Sequence, residues 1–273
     1  MKNNLLTLGP LTVHGYGLMI TIGVLAAYFV AEARAEKYGV KKDSVYSLVI
    51  WCAVGGILGA KLLYLITKIP DIIKNPSILL DVKNGFVVYG GIIGGIFCGY
   101  LYTRRTKQDF LTVFDLTMPS VALGQAFGRI GCFLAGCCYG RETSSKFHII
   151  FHNSDFAPNN VALIPTQLIS SGLDFLNFIV LIFFARKSKA KGQVAALYLM
   201  FYSAGRFVLE MYRGDVERGH VGVLSTSQFI AIFLEAIGIV LLVVCHKKYN
   251  GIQETTLEEI SVDSEEAEES SES

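Results

Sequence analysis

Charge is scarce in this sequence, and the scarcity excludes a great deal. Charged residues make up 17% of 273 positions, against roughly 25% in an ordinary soluble domain. Hydrophobic residues reach 52%, so a water-soluble globule is not the expectation. Six cysteines occur without a CxxC pair, so the usual redox and paired zinc spacings are missing. A Walker loop, a dinucleotide fingerprint and a GxSxG elbow are missing too, which leaves nucleotide-driven transport and serine-hydrolase chemistry unsupported. No cofactor, metal or nucleic-acid partner is expected, and neither heptads nor repeats of 20–50 residues stand out.

What the chain does have is long apolar runs, several approaching the roughly 17–25 residues that cross a bilayer. Seven are read, at 15–33, 45–67, 85–103, 116–135, 166–185, 193–212 and 223–245. The expected fold class is therefore all-α: a polytopic membrane helix bundle of seven transmembrane helices with a small external loop region. An N-terminus outside and a C-terminus in the cytoplasm puts 13 of the 24 lysines and arginines on the inner side and eight on the outer, as the positive-inside bias prefers. The first span lacks the charged leader and small-residue cleavage site of a removable signal peptide, so it is expected to remain as an anchor. Residues 1–250 form the membrane domain. Residues 251–273 hold nine acidic and no basic groups, which predicts a disordered cytoplasmic tail. Residues 68–84 read as an interfacial segment, and FHIIFHN with VALIP as a small external hairpin.

Glycines four apart recur at Gly55 and Gly59, Gly90 and Gly94, Gly91 and Gly95, and Gly124 and Gly128. Such spacing lets helix backbones approach closely in lipid. Two arginines interrupt the apolar runs, Arg129 in GQAFGRIGCFLAGCCYG and Arg206 in LYLMFYSAGRFVLEMYRGD. A guanidinium in hydrocarbon costs roughly 3 kcal/mol or more, so each should line a polar cavity or find a partner. Each lies about six residues, or ~9 Å, below the outer end of its span. A permanently charged planar fork in a wet pocket suits a phosphate. Tyr16 and Tyr89 fall near the same outer face, and Tyr202 and Gln125 one helical turn deeper than the arginines on the arginines' own faces. Pairing of Arg206 with Glu210 at i+4, or neutralisation by Asp174 and Glu235, is the structural alternative. Cys132, Cys137 and Cys138 read as small buried residues, and His148 with His152 lacks the further ligands of a zinc site.

The segment GRIGCFLAGCCYGR resembles the prolipoprotein diacylglyceryl transferase family, whose signature is similar to G-R-x-G-N-F followed by small residues and G-R. HGYGLM at 14–19, VYGGIIGG at 88–95, PTQL at 165–168, YSAGRFVLEMYRGD at 202–215 and LSTSQ at 224–228 resemble further family elements, in order. The resemblance implies transfer of a diacylglyceryl group from phosphatidylglycerol to the lipobox cysteine of an exported prolipoprotein, at the extracytoplasmic side of the plasma membrane. It implies that Arg129 contacts the headgroup, with Gly128, Gly140, Gly90 and Gly91 around the substrate. Arg206, Tyr89, Tyr16, Tyr202 and Glu210 are the implied catalytic set. The chain departs from the family pattern at Tyr89 (a histidine there), Cys132 (asparagine), Cys137 (acidic), and Ile169 and Ser170 (tyrosine and glutamate).

The nucleophile would be the substrate's thiolate, and charge would build on the departing phosphate where the arginines could meet it. Tyrosine, with a pKa near 10, is a poor base at neutral pH. Tyr89 is therefore read as a donor to the phosphate; cationic surroundings that lower the thiol's own pKa are the leading expectation, with His14 as the substitute base. Two other classes compete: a lipid-binding or transport protein using the arginine pocket, and a thiol-redox membrane protein using Cys132, Cys137 and Cys138.

Overall fold

The computed structural model describes residues 4–8, 11–80, 85–215 and 219–272. Eight α-helices dominate: α1 (Gly15–Ala35), α2 (Lys42–Thr67), α3 (Ile69–Lys74), α4 (Val88–Arg105), α5 (Phe110–Ala135), α6 (Thr166–Lys187), α7 (Gln193–Glu210) and α8 (Thr226–Glu272). A helix lies at each of the seven places expected of a span. Five of them, α1, α2, α5, α6 and the apolar part of α8, are long and apolar enough to cross a membrane. The other two, α4 and α7, have 18 residues each. Arg104 and Arg105 close α4, and Arg206 and Glu210 lie within α7, which lowers their apolarity. Many large apolar side chains face outward, among them Phe29, Leu58, Leu62 and Ile93. On a soluble protein so much exposed hydrocarbon would be a liability; on a membrane protein it faces lipid.

The chain forms two compact units. One comprises residues 28–116. Its centre is the pairing of α2 with α4, where glycines meet glycines. A methyl placed on Gly59 would fall on the carbonyl oxygen of Gly90, and one on Gly90 would fall on that of Gly59. Gly94 meets the Gly55 carbonyl in the same way. This is the close backbone approach that small residues four apart permit. Gly91 lies over Gly56, its added carbon 3.3 Å from that carbonyl oxygen. Tyr89 is part of this unit and is more than a third exposed, at 37%. A buried cluster of Ala31, Ala35, Val45, Leu48, Tyr102 and Leu116 fills its other end. There the Arg34 guanidinium donates to the Leu116 carbonyl at 2.7 Å and to the Tyr38 hydroxyl at 3.0 Å. The expected interfacial stretch is α3, with Pro70 in its first turn, followed by a 3-10 turn at Pro76–Leu80. Residues 81–84 lie outside the described residues.

The other unit comprises residues 1–27 and 117–273. Within it α6 packs on α7, and α7 on α8. Three short antiparallel hairpins decorate it: β1 (Asn4–Leu8) with β2 (Leu11–His14), β3 (Ile149–Ile150) with β4 (Ala162–Leu163), and β5 (His220–Val221) with β6 (Leu224–Ser225). The β3–β4 pair, with Ile149 opposite Leu163, is the hairpin that alternation in the two segments predicts. Phe151, Ala157 and Leu163 form its small core. α8 continues as helix to Glu272, through the acidic stretch for which composition predicts disorder. That stretch contains no proline and is rich in glutamate, a good helix former.

Candidate active site

The site is built from stripes on three helices of this unit. On α6, Ser170, Asp174, Asn177 and Val180 recur at three- and four-residue spacing; on α7, Tyr202, Gly205, Arg206 and Leu209 do the same. That spacing places each set on one helix face. With Arg129 from α5 they enclose a cavity of about 250 Å³. Cavities for drug-sized ligands run from roughly 300 to 1,000 Å³, so this one suits a headgroup more than acyl chains. The two arginines that interrupt separate apolar runs therefore open on one chamber.

Their surroundings differ. The Arg206 Nη2 is 2.8 Å from Glu210 Oε2 and donates to Ser227 Oγ at 2.9 Å. Glu210 is the i+4 partner that helical spacing offers, and its side chain is 4% exposed. Both of these contacts use Nη2. Arg129 differs: its guanidinium makes neither a hydrogen bond nor an ion pair with any described residue. Tyr202, Cys132, Asp174 and Cys138 lie near enough to act on it electrostatically. A half-buried cation that lines a cavity, with no acceptor among the described residues, is a strong sign of an anionic ligand.

Other polar groups there are orphaned as well. Asp174 Oδ2 and both Asn177 side-chain atoms are buried without a hydrogen-bond partner. An unsatisfied buried polar group costs roughly 1–3 kcal/mol, so three such atoms around one cavity ask for a hydroxylated ligand. Asn177 was not singled out in the sequence, because one asparagine in an apolar helix carries no pattern. Tyr202 stacks on Tyr198, with ring centroids 5.8 Å apart and planes at 13°. The Tyr198 hydroxyl donates to Gln125 Oε1 at 2.9 Å, which fixes that pair. Tyr16 packs over Gly131 of α5, whose added carbon would sit 3.2 Å from its ring. It acts electrostatically with Arg129 but is not among the cavity-lining residues.

Beyond the cavity, three sequence segments meet in a backbone knot. α5 ends in a Schellman cap: Gly136 is left-handed (φ 77), its N–H donates to the Phe133 carbonyl, and that of Cys137 donates to Cys132. The loop then binds the PTQL segment, with Thr166 Oγ1 donating to the Cys138 carbonyl at 3.0 Å and Gln167 Nε2 to that of Cys137 at 2.8 Å. It also binds the chain after α7, with Arg141 N–H donating to the Tyr212 carbonyl and Gly214 N–H to that of Tyr139. Arg213 forks onto Asp215 at 3.0 and 2.8 Å. Gly140 sits inside the knot, where an added carbon would meet the Ile164 carbonyl and lie 2.9 Å from Thr166 Cγ2. It does not line the cavity, and its absent side chain is explained by packing. Gly90 is explained likewise by its contact with Gly59. Gly128, by contrast, has open space beside it. The knot ties the end of Arg129's helix to the end of Arg206's. Arg213, Thr166 and Gln167 make the side-chain bonds of this region, and none of them is among the site residues expected from the sequence.

The family model described as prolipoprotein diacylglyceryl transferase matches residues 3–244. The chain belongs to that family. It is 50% identical over 239 residues to the phosphatidylglycerol–prolipoprotein diacylglyceryl transferase of Clostridium tetani (strain Massachusetts / E88), covering 88% of this chain and 96% of the relative. It is 44% identical over 232 residues to phosphatidylglycerol–prolipoprotein diacylglyceryl transferase 2 of Clostridium perfringens (strain 13 / Type A), covering 85% and 90%. A Staphylococcus saprophyticus relative is 32% identical over 249 residues, covering 89% of each chain.

Proposed function

We propose that this protein transfers the diacylglyceryl group of phosphatidylglycerol to the cysteine thiol of exported prolipoproteins. The observation that carries the reading is the Arg129 guanidinium, half-buried, without a partner among the described residues, and lining the same cavity as Arg206. Family membership and the names of the relatives agree with it. On this reading seven helices span the membrane, with the N-terminus outside and the cavity in the extracytoplasmic half. α4 and α7 are the two shorter spans. The acidic tail lies in the cytoplasm.

The chemistry follows from the groups present. The lipid phosphate enters between the two arginines, which line the same cavity. The headgroup hydroxyls meet Asp174 and Asn177. The acceptor sulfur forms a bond to the glycerol carbon, the bond from that carbon to the phosphate oxygen breaks, and glycerol phosphate departs with the electron pair. The thiol proton leaves to solvent. Charge grows on the departing phosphate, where fixed cations in a water-poor cavity stabilise it most. Glu210 holds the Arg206 fork in one orientation, and Tyr202 closes the adjacent wall. Tyr16, packed on Gly131 of the helix that carries Arg129, is a supporting group.

The test is direct. The full-length protein in liposomes receives phosphatidylglycerol labelled in its acyl chains, together with a lipobox peptide. Label should appear on the peptide's cysteine and not on a Cys→Ser peptide, while unlabelled glycerol phosphate is released. Absence of label on the cysteine peptide, with the protein folded, sinks the reading.

A further inference from the structure

Outside the cavity, the most chemically loaded cluster is a trio of thiols. The Sγ atoms of Cys132, Cys137 and Cys138 all lie within 4.8 Å of one another, though in sequence they are a vicinal pair and a single cysteine five residues earlier. The fold brings them together by the α5 cap. The N–H of Cys137 donates to the Cys132 carbonyl at 3.2 Å, folding the loop back on the last helical turn. Cys138 follows with left-handed backbone (φ 61), an uncommon state for a residue with a side chain. All three side chains are partly buried, so a small cation can reach them.

We infer that Cys132, Cys137 and Cys138 form a three-thiolate site for a thiophilic d10 cation, of which Zn²⁺ is the representative. The dimensions fit. With Zn–S bonds of about 2.3 Å, ligand sulfurs stand about 3.8–4.0 Å apart, so closing the trio on an ion takes an ångström or less at the longest pair. A disulfide uses two sulfurs and strands the third, whereas here three share one centre. Soft thiolates select Zn²⁺ or Cu⁺ over the harder cations. Charge is answered as well. Three thiolates on a divalent ion carry net −1, and two cations stand beside them: Arg213, which reaches Cys138, and Arg129, which acts on Cys132 and Cys138. The fourth position of the ion remains for a water or another donor, as at zinc centres with three protein ligands. Bound there, the ion pins the end of Arg129's helix to the knot that ties it to Arg213. This inference stands apart from the transferase reading and survives its failure.

The full-length protein, purified in detergent under a non-chelating reductant and stripped of metal, is mixed with Zn²⁺ and desalted, and bound zinc is counted per chain. One zinc per chain is expected. Cys132→Ser, Cys137→Ser and Cys138→Ser should each lose it, and Cys98→Ser, a cysteine of the other unit, should keep it. Co²⁺ added to the unaltered protein should give an intense thiolate-to-cobalt charge-transfer band and tetrahedral d–d absorption, a readout that needs no variant. No zinc and no cobalt band overturn the site. So does binding that all three substitutions leave unchanged. An unreduced mass two daltons low, mapped to a bond between two of the trio in protein that takes up no metal after reduction, overturns it as well.

Discussion

The contact between α2 and α4 and the cavity between α5, α6 and α7 use apolar, membrane-length helices for opposite ends. In the first, glycine backbones touch and leave nowhere for a side chain. In the second, helices of similar composition line a chamber. They leave an arginine, an aspartate oxygen and both polar atoms of an asparagine unanswered. Lipid gives helices no hydrophobic reason to associate, so dry packing at small residues is where stability comes from. Unanswered buried polar groups are where stability is given up. The contrast teaches that the site can be recognised by what it leaves unsatisfied, as much as by which residues it contains.

The comparison can be broken in graded steps. Arg129→Ala should have the largest effect, lowering transfer about 10²–10³-fold, as loss of a preorganised charge-stabilising donor does. The melting temperature should hold, because no described residue loses a partner. Unchanged turnover of labelled lipid would refute its headgroup role. Arg206→Lys keeps the charge but loses the fork that holds Glu210 and Ser227, and should slow transfer about 10²-fold through misplacement. A wild-type rate would show that Arg206 acts only as a charge. On the packed side, Gly90→Val should destabilise by about 1–3 kcal/mol through overpacking, read as a lower melting temperature in detergent. If the melt is unmoved, the α2–α4 contact is looser than described. Asn177→Leu sharpens the contrast most. It should raise the melting temperature by about 2–4 °C while weakening use of the lipid about three- to tenfold, the value of one lost hydrogen bond. A variant both less stable and fully active would mean that Asn177 serves packing. Removing residues 251–273 should alter neither quantity, and a changed rate would make the tail part of the machinery.

How much of this was legible in the sequence follows from range. A helix stands at each of the seven places read from the apolar runs, which are local signals, and five of those helices are long and apolar enough to cross a membrane. The β3–β4 pairing could be read because alternation is local too. The meeting of Arg129 and Arg206 was an inference from matching distances to the ends of two runs, and both do line one chamber. Gly90 and Gly140 resembled substrate contacts, since motif likeness does not separate a glycine that admits a ligand from one that admits another backbone. Asn177 was invisible because one asparagine in an apolar helix carries no pattern, and the knot of CCYGR with PTQL and YRGD because its partners lie some 30 to 70 residues apart and no periodicity announces them. The three cysteines lie within seven residues of sequence, yet their convergence depends on a helix cap and one left-handed residue, which spacing does not encode.

The central claim is that one chamber, gripped by Arg129 and Arg206, holds the phosphate of a lipid headgroup. Equilibrium binding of glycerol 1-phosphate, the headgroup fragment that the reaction would release, tests it without requiring turnover. The unaltered protein in detergent should bind it saturably, Asn177→Leu more weakly, and Arg129→Ala without saturation. Equal affinity in the unaltered protein and in Arg129→Ala would contradict the account.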